Sequence, residues 1–215
     1  IDYLNGSLKV LNSNIAHNDD RYYLDTLALT ASTTAERNKI LFNSEFLNAH
    51  LVGNYRLSEL GTSIQDIVRV YYNPTNVADT TSYSPQRFEF SARVNHSRII
   101  RELVPDLEEM RDITLDGTFD SEAKTLIAKL LAPKLIYSGT EVENVGADVI
   151  TVDSTLYYNA LINRISVSSI ELINTIISGD VADNNLNFGL WIRDKESKPQ
   201  YHLGARMTAE NNNYI

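Results

Sequence analysis

The amino-acid sequence predicts a mainly β chain, an antiparallel run of strands interrupted by two amphipathic helices. Three observations carry that reading. Apolar and polar residues alternate with period two through many short segments, as a pleated strand with one buried and one wet face requires. Short polar turns separate most of those segments, for which antiparallel neighbours are the economical reading. Two stretches alone switch to helical spacing, a proportion that disfavours a wound βαβ sheet.

Taken in order, Leu4, Gly6, Leu8 and Val10 share one side of a first strand, with Asn5, Ser7 and Lys9 on the other. A polar turn over 12–20 closes it, and Tyr23, Leu27, Leu29 and Ala31 continue the alternation. After a turn at 33–36, Ile40, Phe42 and Ser44 run back. Leu47, Ala49, Leu51, Gly53 and Tyr55 form the next strand, in which the glycine marks a bulge or a close backbone approach.

At Leu57 the period changes: Leu57, Leu60, Ile64, Ile67, Val68 and Tyr71 recur at three- and four-residue intervals, the apolar stripe of a helix that stops at Asn73-Pro74. Residues 73–85 are rich in Thr, Ser, Asn and Asp and read as a loop, the best internal boundary. Strand character resumes at once with Phe88, Phe90, Ala92 and Val94, so the expectation is one domain over residues 1–215. A second helical stripe follows at Ile99, Ile100, Leu103, Leu107 and Met110, with Pro105 placed to break or kink it.

From Ile113 to Met207 the strands come in succession. Their apolar sides are Ile113, Leu115, Gly117, Phe119; Leu126, Ala128, Leu130, Ala132; Val145, Ala147, Val149; Leu186, Phe188, Leu190, Ile192; and Leu203, Ala205, Met207. Roughly ten strands result. The chain opens at Ile1 without Met and closes on Asn213-Tyr214-Ile215 in strand-like sequence, so it is expected to be a segment of a longer protein.

With 215 residues and 43% hydrophobic content the chain is long enough to bury a sizeable apolar surface. Its net charge of -9 argues against nucleic acid as a partner, because phosphate affinity comes from clustered Lys and Arg. No apolar run approaches the ~20 residues of a membrane-crossing helix. Cysteine is absent, which removes disulfides, thiolate nucleophiles and zinc–thiolate sites.

Residues able to do chemistry are scattered. His17, His50, His96 and His202 show no metal-ligand spacing, and solvated or capping roles suit them. Asp116, Asp120 and Glu122 lack the residue order of a calcium loop and read as carboxylates on the wet side of a strand. There is no nucleophile elbow, phosphate-binding glycine loop or His-Glu-x-x-His. The expectation is therefore no enzyme, no catalytic residue, no metal and no cofactor. Asn5-Gly6-Ser7 and Asn95-His96-Ser97 match the short glycosylation tripeptide, which carries little weight. The 12 tyrosines suit strand packing, with a carbohydrate platform as the functional reading.

The run from Leu186 to Glu210, which follows Asp116-Gly117-Thr118-Phe119-Asp120, resembles the periplasmic body of the AsmA-like family, and within it the TamB (translocation and assembly module) group. The helical phrases from Leu57 to Val68 and from Leu103 to Met110 are similar to inserts between strand runs in that family. The resemblance implies a long antiparallel sheet curled into a half-pipe, apolar inside and polar outside. It implies a periplasmic location, in a protein anchored to the inner membrane by a part not present in this sequence. The implied role is passage of phospholipid between inner and outer membranes, or help to outer-membrane protein assembly beside an outer-membrane barrel. Its implied partners are phospholipid acyl chains or unfolded outer-membrane proteins. On that reading Leu115, Phe119, Leu126, Leu130, Leu186, Phe188, Leu190 and Ile192 line the apolar groove. The rival architecture is a closed β-sandwich, a carbohydrate- or protein-binding module that packs the same side chains against a second sheet.

Overall fold

The structure is a computed structural model that describes residues 4–17, 20–35, 37–73, 84–210 and 213–214. The strands are β1 Gly6–His17, β2 Asp20–Thr33, β3 Asn38–Ser44, β4 Leu47–Asn54, β5 Arg87–Val94, β6 Leu107–Met110 and β7 Ile113–Asp120. They continue as β8 Thr125–Tyr137, β9 Thr140–Val152, β10 Thr155–Val167, β11 Ile170–Ala182, β12 Asn185–Arg193, β13 Pro199–Glu210 and β14 Asn213–Tyr214. A single 3-10 turn, Leu57–Glu59, leads into α1, Leu60–Tyr71, and α2 is Arg98–Leu103.

All the strands belong to one sheet, ordered as in the chain from β1 to β14, with β6 alone off the path and paired to β8. Each neighbouring pair is antiparallel, and the first and last strands do not meet. A two-sheet sandwich is therefore not formed by the described residues. Tight hairpins sustain the order. Ser138-Gly139, Asp153-Ser154 and Asp183-Asn184 each place two successive residues at positive φ, the primed turn whose twist matches the flanking strands.

The sheet curls across its strands, and α1 measures the curl. The start of the helical segment lies beside β3, where Leu57 and Ile40 line one crevice, and its end reaches the β11–β12 tip, where the Asn184 amide donates to the Tyr71 carbonyl at 3.1 Å. Between β3 and β11 the path of the sheet takes seven steps, about 34 Å if flat at ~4.8 Å each. The helical segment from Leu57 to Tyr71 covers about 21 Å. An arc of ~34 Å on a chord of ~21 Å is close to a half circle. The positions of the two helix ends thus fit a half-pipe.

The core sits under α1. Ile67 and Tyr71 pack with Tyr55, Phe88, Phe119, Leu156 and Val181 in one buried cluster. Phe88 and Phe119 stack with ring centroids 4.8 Å apart, and Tyr55 meets Phe88 edge-on. A smaller cluster forms at the opposite ends of the strands, where Ile99 of α2 packs on Leu24, Val10, Leu27 and Phe46.

The two-residue beat slips at one level of the sheet. Val10 and Leu27 are cross-strand partners, yet Leu24, three residues from Leu27, is buried in their cluster. The slip sits opposite Asn12, whose φ is 46. Asn144 in β9 and Asn174 in β11 adopt the same left-handed backbone, with φ 50 and 49, a conformation asparagine tolerates better than most residues. Beyond them Leu135, Val142, Ile165 and Leu172 form one cross-strand row with buried Met110, while Lys134, Glu143 and Arg164 take the other face.

Three expectations are corrected here. The second helix ends at Leu103, and Leu107–Met110 is strand β6, because an unpaired stretch of the β8 edge accepts it as a ladder partner. Strands β10 and β11 add two long members to the succession read from sequence. The face away from α1 is also not uniformly polar. Ile127, Ile150 and Tyr157, paired side by side across β8, β9 and β10, are 46%, 38% and 46% exposed there. The loop boundary expected at 73–85 falls mainly on 74–83, outside the described residues.

Candidate functional site

The candidate site is the apolar face on which both helices lie. Directly opposed residues of antiparallel strands share a face, so the pairing register assembles that face row by row. The row nearest the α1 tips joins Phe88, Phe119 and Leu126, then Thr151, Leu156, Val181, Leu186 and Met207. The second runs Ile40, Leu51, Phe90, Gly117, Ala128, Val149, Tyr158, Gly179, Phe188, Ala205. The third is apolar from β1 to β13: Leu8, Leu29, Phe42, Ala49, Ala92, Leu115, Leu130, Ala147, Ala160, Ile177, Leu190, Leu203.

Helix α1 covers the first two rows over their middle strands, leaves Ala205 and Met207 at their β13 end exposed, and does not cover the third. Phe119 is 1% exposed beneath it, and Leu126 and Leu186 are packed against the same cluster. Those three residues were expected to line the groove and instead form the helix seat. Leu115 is 36% exposed and Leu203 57%, while Leu130, Phe188, Leu190 and Ile192 are half-buried. Leu115, Leu130 and Leu190 share the third row, Phe188 the second, and Ile192 lies beyond the register shift that follows Trp191. Residues unmarked in the sequence reading also belong to this face, notably Tyr158, Ala160 and Ile177.

Aromatic rings lie over glycines and flatten its floor. A Cβ at Gly117 would fall 2.3 Å from the Phe90 ring, and one at Gly179 would fall 2.4 Å from the Tyr158 hydroxyl. Each glycine is the direct cross-strand partner of its aromatic. Tyr158 reaches across Gly179 to donate to the Asn187 carbonyl at 2.8 Å, and burial pushes its phenol pKa up. Gly53, whose φ is 155, permits the backbone approach expected of it: a Cβ would stand 2.2 Å from the Arg87 carbonyl.

Polar groups take other places. Lys134 bridges Glu109 and Glu141 at 3.0 and 3.2 Å, and Arg164 bridges Glu141 and Glu143 at 3.0 and 2.9 Å. The hydrogen bond from Arg164 holds the Glu143 carboxyl below its ordinary value. A cavity of about 420 Å³ is lined by the polar residues Arg37, Asn54, Arg87, Glu89, Thr118 and Asp120, and it also borders Phe88 and Phe119 of the first row. Asp120 accepts from the amides of Glu122 and Ala123 and so caps the β7–β8 turn. His50 is exposed, the His96 amide donates to Asp112, and His202 stacks on Trp191 at 5.0 Å. The His17 side chain lies outside the described residues. Among the described residues no three His, Asp or Glu side chains converge on a metal-sized site.

No helix among the described residues is long and apolar enough to cross a membrane. Comparison of the chain with family models, with curated proteins and with solved structures finds no match.

Proposed function

We propose that the uncovered apolar rows are a seat for the acyl chains of phospholipid, and that the chain is one section of an AsmA- or TamB-like conduit between inner and outer membranes. One observation carries the reading: a row of apolar side chains runs from Leu8 to Leu203 through consecutive strands, with Leu115 and Leu203 left open and no second sheet over it. Such a face is stabilised when apolar matter removes it from water, at ~0.8 kcal/mol for each buried methylene. An acyl chain supplies that without hydrogen bonds, which these rows could not return. On this proposal the segment works in the periplasm as a carrier, with no catalytic role.

Photocrosslinking in cells tests it. Probes at Leu130 and Leu190 are expected to form phospholipid adducts, and a probe at Asn187, on the opposite face of β12, to form none. Adducts to unfolded outer-membrane proteins would move the proposal to an assembly role, and absence of both would remove the groove reading.

A further inference from the structure

We infer that α1 is a removable cover, clasped at Tyr71 and Asn184, and that the seated helix and a bound acyl chain exclude one another over the first two rows. The inference rests on the lipid reading of the apolar face. No sheet ladder ties α1 to the strands; apolar contact and a few polar bonds fix it. Ile67 and Tyr71 rest on Phe88, Phe119, Leu156 and Val181, the same face that continues uncovered one row further on. Hydrophobic contact is non-directional, so what seats the helix would also seat a hydrocarbon chain.

The polar bonds are concentrated at the helix end. The Tyr71 hydroxyl donates to the Lys124 carbonyl at 2.6 Å, on the β7–β8 tip. The Tyr71 carbonyl accepts from the Asn184 amide, and Asn184 Oδ1 accepts from the Asn73 amide at 2.7 Å, on the β11–β12 tip. One residue thus straps two hairpin tips that are separated by β8 to β11, and its release would free the helix and slacken the curl together. The seat is also incompletely satisfied. Gln86 is 1% exposed and donates to Ser63 Oγ at 2.8 Å, but its Oε1 finds no partner among the described residues, and neither does the buried Tyr72 hydroxyl. Buried unmet groups count against the closed state and bring an open one within reach.

The chain has no cysteine, so a pair introduced at Asn73 and Asn184 can be oxidised to lock the helix and reduced to free it. Purified full chain would be mixed with phosphatidylethanolamine–phosphatidylglycerol vesicles carrying a pyrene-labelled acyl chain, and uptake measured by pyrene fluorescence. The locked protein is expected to take up at least severalfold less than its reduced form. Tyr71→Phe combined with Asn184→Gly, which keeps the turn's positive φ and removes both side-chain bonds of the clasp while leaving the backbone bond from the Asn184 amide to the Tyr71 carbonyl, is expected to take up more than the parent. Matching circular dichroism and melting would show that all forms fold. Equal uptake by locked, reduced and unclasped proteins would overturn the exclusion and leave the lipid reading standing. No uptake in any form would remove the lipid reading, and the exclusion with it.

Discussion

At the scale of single residues, glycine does two different jobs in the same sheet. Gly179 has the Asn187 carbonyl 2.0 Å from where a Cβ would stand, and Gly146 has nothing closer than a Leu131 methyl at 3.7 Å. Gly179→Ala must therefore push backbone and Tyr158 aside, at about 1–3 kcal/mol of stability. Gly146→Ala fills ordinary space and restricts the unfolded chain, so it is expected to be neutral or to stabilise by up to ~1 kcal/mol. Urea titration of the two variants checks the contrast, and equal losses would contradict it. Glu143 supplies a pH test. The Arg164 hydrogen bond depresses its folded-state pKa, so its contribution is full above the unfolded value and is lost as pH falls through the folded one. In Arg164→Gln the Glu143 midpoint, followed by NMR, is expected to rise toward the ordinary carboxylate range, and acid sensitivity attributable to this pair to shrink. An unmoved midpoint would mean that the bridge is a contact of geometry alone.

At the scale of elements, α1 is a segment whose removal the larger core cluster would register as a cavity. Ile67, 3% exposed, faces the aromatic cluster, whereas Val68, its neighbour in sequence, is 46% exposed. Ile67→Ala is expected to cost about 2–4 kcal/mol and Val68→Ala under ~1 kcal/mol, by chemical denaturation. Similar costs would place the helix in some other orientation. This element was legible in the sequence because its stripe has helical spacing against a polar background, although Ile64 and Val68, read as part of the inward stripe, are exposed. Leu107 and Met110 continued a similar stripe after α2 and misled, since a register shift between Leu107 and Glu109 in the ladder to β8 puts both on one face of a short strand despite their three-residue spacing. The long strands β10 and β11 went unmarked for the opposite reason. Tyr157 and Leu161 on one face of β10, and adjacent Ile176 and Ile177 in β11, put apolar residues on both sides and erase the contrast that period two depends on. The slips at Asn12, Asn144 and Asn174 further break the beat, because a positive φ is a tertiary choice that asparagine permits without requiring.

At the scale of the whole molecule, alternation could place Leu115, Leu130, Phe188 and Leu190 on one side of their strands, but not say what lay over that side. The burial of Phe119, Leu126 and Leu186 follows from a helix that is near none of them in sequence. A sheet of this length has a right-handed twist of its own, so the arc could belong to the strands or to the helix that spans it. The curl itself is therefore open to measurement in the cysteine-free background. Lys39 on β3 and Asp183 at the β11–β12 tip are both exposed and suit nitroxide labels. Flat, the path between these strands would be about 34–38 Å at ~4.8 Å for each step. Bent around α1, the chord is about 21–25 Å. A double electron–electron resonance distribution centred nearer the chord, allowing for the label arms, is expected for the parent. If α1 is what holds the arc, Ile67→Asp, which puts a carboxylate into its seat, should lengthen and broaden the distribution while the strand signal in circular dichroism persists. A distance that stayed short and sharp would mean that the strands curl without the helix, and that the half-pipe is a property of the sheet alone.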